Sequence, residues 1–291
     1  MTDYFTFFKQ DSRTWFDRSC QFCYRNKDCI SATSFTTDKR KHLLHIKGFR
    51  EKQTARMLKG IEMHKEKEED LKTIDEYGVE NIKNDLHDNK LVVLRDVKVH
   101  SRFFGYRGFI DVLGIKHDSK KGRMDIHILE IKTSFRKNQL FQLGCYASMV
   151  SDSDSTIFHD KGEFNIHPRN PVSLNIHLGL WVERFQKLIK WEFMENGAIV
   201  GPWKGYVSAM RRRQSSLRSV HKFGVYNIHE IPRCRECYET CGFYKDICSK
   251  IDDVNQFNDS QRYFAKRVRK GSILKKTKPF SKTNSARVGQ I

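Results

Sequence analysis

The sequence predicts a mixed α/β fold, a central sheet flanked by helices, and three observations predict it. Period-two apolar patterning, rich in Val and Ile, marks strands at residues 91–99, 108–116, 124–133, 174–183 and 188–194. Three- and four-residue spacing marks helices at 53–84, 138–150 and 203–220, so helices interrupt and bracket the strands. A content of 38% hydrophobic and 12% aromatic residues in 291 supplies the apolar material for a large core.

Each element follows from its own pattern. Residues 1–50 are aromatic and Cys-bearing without a clean period, and read as short helices and loops. In the helix at 53–84, Met57, Ile61 and Leu71 fall on one face, and His64 and Glu68 fill the stripe between them. A His and a Glu thus stand where a helix points inward. After Gly78 the strands begin, and the second and third form a hairpin across His117-Asp-Ser-Lys-Lys-Gly122. The helix at 138–150 spaces Leu140, Leu143, Ala147 and Val150 for one buried face. Residues 151–171 read as a polar loop, and two further strands follow. The helix at 203–220 carries Arg211, Arg212 and Arg213. No internal repeat is present.

Composition excludes several classes. Five Pro and 17 Gly exclude collagen-like and Pro-rich architectures. No run approaches the length of apolar sequence that a membrane span needs, and the first residues lack the basic and apolar regions of an export signal. A cytoplasmic protein without a membrane partner is the expectation. Lys and Arg number 54 against 35 Asp and Glu, a formal charge of +19, so the partner is expected to be polyanionic.

The strands carry the chemistry. In Arg107-Gly-Phe-Ile-Asp-Val-Leu-Gly114, alternation puts Phe109, Asp111 and Leu113 on one face. In the next strand Met124, Ile126, Ile128, Glu130 and Lys132 share a face. Two carboxylates and an ammonium therefore project from neighbouring strands. A hard divalent cation prefers oxygen ligands, and two carboxylates leave positions for water and a substrate phosphate. Lys132 beside that phosphate would offset its developing negative charge. The competing reading is a half-exposed sheet on which Lys132 simply pairs with Glu130; the apolar run from Ile126 to Ile131 argues against a fully solvated face.

The order of these parts adds a resemblance. A helix with Gly60-Ile-Glu-Met-His64, then Gly-Phe-Ile-Asp111, then Glu130-Ile-Lys132, then a helix with Gln142-Leu-Gly-Cys-Tyr146, resembles the RecB-like branch of the PD-(D/E)xK nucleases. The resemblance implies a restriction-endonuclease-like fold and metal-dependent exonuclease activity on DNA, mainly on single-stranded ends. It implies that His64, Asp111 and Glu130 hold Mn²⁺ or Mg²⁺, that Lys132 is the motif lysine, and that Gln142 and Tyr146 stand beside the scissile strand. Core packing is the alternative role for Gln142 and Tyr146, and a hydrogen-bonded core histidine the alternative for His64.

Eight cysteines fall at 20, 23 and 29, at 145, and at 234, 237, 241 and 248. Without an export signal, metal binding is a better reading than disulfides. Iron–sulfur members of the same branch, including the CRISPR adaptation nuclease, AddB and the nuclease domain of the Dna2 helicase, are similar in this layout. The likeness spans residues 20–248 and implies a 4Fe-4S cluster on Cys23, Cys234, Cys237 and Cys248, in a subdomain built from the N- and C-terminal segments. The spacing departs from the family's usual terminal group, so Cys20, Cys29 and Cys241 remain competing ligands. Zinc on Cys20, Cys23, Cys234 and Cys237 remains a competing occupant. Cys145 reads as a buried space-filler.

The expected organisation is an N-terminal segment at 1–50, a nuclease core at 51–200, a basic helix with the terminal cysteines at 201–250, and a basic tail at 251–291. Lys and Arg there and at 211–213 suit phosphate binding. Phe103, Phe104 and Tyr106 are expected in the core. A non-catalytic DNA-end-binding subunit, in an integrase or helicase assembly, is the alternative function. A zinc-stapled nucleic-acid-binding protein is another.

Overall fold

Alternation along the Val- and Ile-rich segments produces one mixed sheet. The computed structural model describes residues 7–8, 29–46, 55–153, 155–159, 162–165, 173–221, 223 and 231. The strands are β1 (Phe7–Phe8), β2 (Ile30–Ser31), β3 (Leu91–Ser101), β4 (Tyr106–Asp118), β5 (Arg123–Lys132), β6 (Ser155–His159), β7 (Gly162–Phe164), β8 (Ser173–Val182), β9 (Lys187–Glu195) and β10 (Ala198–Ile199). Their order is β1-β7-β6-β3-β4-β5-β8-β9-β10, with β2 beside β4. The β5–β8 and β2–β4 pairs are parallel and the others antiparallel. Helices α1 (Lys39–Ile46), α2 (Ala55–Glu68), α3 (Ile74–Tyr77), α4 (Val79–His87), α5 (Gln139–Val150) and α6 (Trp203–Arg218) accompany it. No helix among the described residues is long and apolar enough to cross a membrane.

Two compact units divide the chain: residues 1–36 with 60–212, and residues 37–59 with 213–291. In the first, Leu113, Ile115, Ile126 and Ile128 are fully or almost fully buried, and Leu113 and Ile115 pair with Ile128 and Ile126. Helix α5 packs on β3, β4 and β5, and its residues 142–150 are all buried. Two glycines permit this packing. A Cβ on Gly108 would stand 2.6 Å from Tyr146 Cε1, and one on Gly144 would stand 2.8 Å from Met210 Sδ. Trp203, buried at the start of α6, packs at an angle on Phe193 and Tyr206. In the second unit, Leu43 and Leu44 of α1 are buried, Arg40 Nε donates to the Ile231 carbonyl, and His42 Nε2 lies 2.9 Å from His221 Nε2.

Several sequence expectations need correction. The helix expected at 53–84 is three helices. After Glu68 the chain extends, Lys72 forms a bridge to Leu94, and Arg95 N–H donates to the Lys72 carbonyl. Thr73 and Glu76 then form a reciprocal capping box that starts α3, and Gly78 at φ 87° joins α3 to α4. The face expected to point inward is also displaced. Met57 and Ile61 are exposed, whereas Met63 packs with Val112 and Ile131. The expected loop at 151–171 contains β6 and β7, because Ser155–His159 finds a pairing edge on β3 that a local pattern cannot reveal. Residues 1–50 likewise include β1 and β2 beside their helices. Of the three aromatics expected in the core, Tyr106 is buried, Phe104 is half-buried and Phe103 is 65% exposed at the β3–β4 turn.

Candidate metal centre

Local geometry at the end of the β4–β5 ladder creates the site. The ladder runs from Asp118 opposite Arg123 to Val112 opposite Leu129 and stops there. Asp111 and Glu130 lie just beyond this last paired rung. Where the backbones cease to pair, the Asp111 side chain replaces a backbone acceptor: its Oδ2 accepts the Ile131 N–H at 2.7 Å. On β3, Arg95 pairs with Val112 and Val97 with Ile110. Asp96 between them adopts the left-handed region at φ 52°, uncommon in a strand.

Met63 seats α2 on Val112 and Ile131, and the following turn brings His64 and Glu68 to Asp111. His64 Nδ1 lies 3.3 Å from Glu68 Oε1 and 3.7 Å from Asp111 Oδ2. Ligand atoms of His64, Glu68 and Asp111 all lie within 4.8 Å of one another. Glu68 is buried, while the His64 side chain is 29% exposed.

Glu130 is 1% exposed. Its Oε1 accepts from Lys132 Nζ and, at 2.7 Å, from Gln142 Nε2. The same Gln142 amide lies 2.9 Å from the Tyr146 hydroxyl oxygen, to which it donates. The four-residue spacing on α5 puts both groups on one face. Gln142 and Tyr146 are buried behind Glu130, a place from which they orient that carboxylate. Glu130 Oε2 is buried and has no hydrogen-bond partner among the described residues.

Electrostatics reflect crowded acids. Burial pushes the Glu130 carboxyl up to about 7, against the pull of the Lys132 ammonium, and the Asp111 charge pushes it further. Burial also raises the Asp111 carboxyl, opposed by Lys132 and His64. Burial would lower the Lys132 ammonium, but Glu130 and Asp111 outweigh it and the group is raised. The hydrogen bond to Glu68 raises His64 above its ordinary value. Asp96 is raised by burial and then by the charge of Glu68, which adds a further carboxylate to the rim of the group.

His64, Glu68 and Asp111 offer one imidazole and two carboxylates that could hold a divalent cation, and Glu130 Oε2, outside that trio, is buried with no hydrogen-bond partner among the described residues. A buried carboxylate oxygen without a hydrogen bond is costly, and a divalent cation within reach would offset that cost. His64, Asp111, Glu130, Lys132, Gln142 and Tyr146, singled out in the sequence, occupy this one region of the first unit. Glu68 and Asp96 are additions. Glu68 carried a signal, since it lies one helical turn beyond His64. Asp96 carried none, because a left-handed residue within a strand leaves no mark in the alternation.

The cysteines proposed for a cluster, Cys23, Cys234, Cys237 and Cys248, lie outside the described residues, as do Cys20, Cys241 and the basic tail at 251–291. Cys29 is buried with its Sγ 3.2 Å from His100 Nε2. Cys145 is fully buried within α5, where desolvation raises its thiol well above the ordinary value. Arg211 and Arg212 are exposed on α6. No protein-family model matches the chain, and no curated protein matches it.

Proposed function

We propose that this chain is a metal-dependent DNA exonuclease of the RecB-like PD-(D/E)xK type, built on a restriction-endonuclease-like sheet and acting on single-stranded ends. The observation that carries the reading is the gathering of His64, Asp111, Glu130 and Lys132 at the splayed end of β4 and β5, with Gln142 locking Glu130 from behind. His64, Asp111 and Glu130 supply the ligands. The bound cation, Mn²⁺ or Mg²⁺, supplies Lewis acidity and makes a water available as nucleophile at neutral pH.

The residues do the rest. Lys132, a quarter exposed and paired with Glu130, places positive charge where negative charge grows on the attacked phosphate. Gln142, braced by Tyr146, keeps Glu130 in one rotamer. Phe109, two residues before Asp111 on the same face and 43% exposed, offers a ring for an unpaired base beside the reacting phosphate. The formal charge of +19 favours a nucleic acid over a small anionic substrate. In the same reading Cys23, Cys234, Cys237 and Cys248 hold a 4Fe-4S cluster, and the protein processes DNA ends in CRISPR adaptation or repair beside an integrase or a helicase.

The test is cleavage of linear and circular single-stranded DNA, both end-labelled where ends exist, by the full chain with Mn²⁺. Progressive shortening of linear DNA with circular DNA spared supports the reading. DNA binding without products under any divalent cation would replace it with a non-catalytic end-binding protein. Iron and sulfide in equal amounts support the cluster, and zinc alone removes it.

A further inference from the structure

The β8–β9 hairpin ends beside the strand that carries Lys132. Lys132, Val182 and Lys187 share the last paired rung across β5, β8 and β9. The hairpin tip, residues 183–186, projects beyond that rung, and the Arg184 N–H ties it to β5 by donating to the Thr133 carbonyl at 3.1 Å. The remaining residues build the turn. The Glu183 carbonyl accepts the Gln186 N–H, and the Glu183 carboxylate accepts from Trp181 Nε1 at 2.9 Å and from Gln186 Nε2 at 2.6 Å. Gln186 adopts the left-handed region at φ 46°, which reverses the chain into β9.

Arg184 and Phe185 are what this turn presents to solvent. Phe185 is 61% exposed, and its ring has one aromatic or cationic neighbour among the described residues, the Arg184 guanidinium 5.7 Å from its centroid. Phe135, two residues beyond Thr133, is 42% exposed as well. Two rings that add nothing to the core therefore stand on two segments joined by a hydrogen bond, next to Lys132. Exposed Lys137, Arg184 and Lys187 belong to the same two segments, so apolar faces and positive charge occur together. That combination matches an unpaired base and its phosphate: the base stacks on a ring while the cations neutralise the backbone. The bases of a duplex are already stacked on both faces and cannot use the ring.

We propose that the β8–β9 tip is a stacking platform on which Phe185 holds an unpaired base of the DNA strand whose phosphodiester lies at Lys132, so that Phe185 favours single-stranded over duplex DNA. This deepens the nuclease reading and rests on it for the position of the strand. The tight turn and its bond to Thr133 fix the ring relative to Lys132, so a base seated on Phe185 sets where the strand crosses the end of β5.

The experiment is fluorescence anisotropy of a labelled oligothymidylate and of a labelled duplex of equal length, each titrated with the full chain in EDTA so that binding is read without cleavage. Phe185→Ala, folded by circular dichroism, is expected to bind the oligothymidylate about 10-fold more weakly than the parent and the duplex as tightly as the parent. Phe185→Trp, which keeps a ring, binds both as the parent does. Leu91→Ala, which removes an exposed apolar side chain at the opposite end of the sheet, beside Lys116, also binds both as the parent does. Unchanged oligothymidylate binding by Phe185→Ala, or equal weakening of both DNAs, overturns the platform, as does a Phe185→Trp protein as weak as Phe185→Ala. Cleavage with Mn²⁺ separates this proposal from the reading beneath it. A parent that cleaves single strands while Phe185→Ala binds them normally overturns the platform alone. Ring-dependent binding without products under any divalent cation overturns the nuclease reading and leaves the platform on a DNA-binding protein.

Discussion

At the residue scale the account turns on which atoms each acid can still offer. Glu130 gives Oε1 to Lys132 and Gln142, and its Oε2 has no partner among the described residues. Asp111 gives Oδ2 to the Ile131 N–H and to His64. Lys132→Met, which keeps the stem and deletes the charge, is expected to retain Mn²⁺ binding and lower the cleavage rate by about 10²-fold or more, measured by single-turnover kinetics. Gly108→Ala tests the wall behind the site. Its Cβ would meet Tyr146 Cε1 at 2.6 Å and Ala32 Cβ at 3.0 Å, so a loss of roughly 1–3 kcal/mol is expected in denaturant unfolding. Asp111, Glu130 and Lys132 were legible because they are charged residues within Val- and Ile-rich strands. Glu68 was half-legible: the spacing from His64 was visible, but which side of α2 is buried depends on Met63 meeting Val112 and Ile131. Phe103 misled, since its aromatic neighbours suggested a core that its place at a turn denies.

At the element scale, period and length separate what the sequence discloses from what it hides. The long strands β3, β4, β5, β8 and β9 and helices α5 and α6 bury apolar side chains with their own period, so their patterns mark them. Short β6 and β7 exist because β3 offers an edge, which is information from distant sequence. The break after α2 was written locally in Thr73 and Glu76, yet charged residues on both sides continue the helical spacing and mask it. Helix α1 contributes a pH response of its own. Burial, then the charges of His221, His45 and Arg213, hold the His42 imidazole down at about 3, far below its ordinary 6.5. The folded protein therefore keeps His42 neutral while the unfolded chain protonates it. Its stabilising effect is complete above pH 6.5 and is lost as pH falls toward 3. Between pH 7 and pH 5 this amounts to about 2 kcal/mol. Parent protein and His42→Gln, compared by urea unfolding at both pH values, should differ in that the parent loses more stability on acidification.

At the scale of the whole molecule, a chain of formal charge +19 carries a cluster of His64, Glu68 and Asp111. In the proposed reading, net positive charge draws in a polyanion and a cation held by the acids reverses the local sign at one phosphate. A different balance would serve a simple binder, for which buried Glu130 and half-buried Asp111 would be a cost without return. The mixed sheet places Asp111, Glu130 and Lys132 on adjacent strands, while α2 brings His64 and Glu68 and α5 brings Gln142 from elsewhere in the chain. The most direct measurement is cleavage of end-labelled single-stranded DNA by one folded preparation, first in EDTA and then with Mn²⁺ restored, beside an Asp111→Asn protein. The account predicts no products in EDTA, full activity on restoring Mn²⁺, and at least a 10²-fold lower rate for Asp111→Asn. Equal cleavage by the parent in EDTA and in Mn²⁺, or by Asp111→Asn and parent in Mn²⁺, would contradict it.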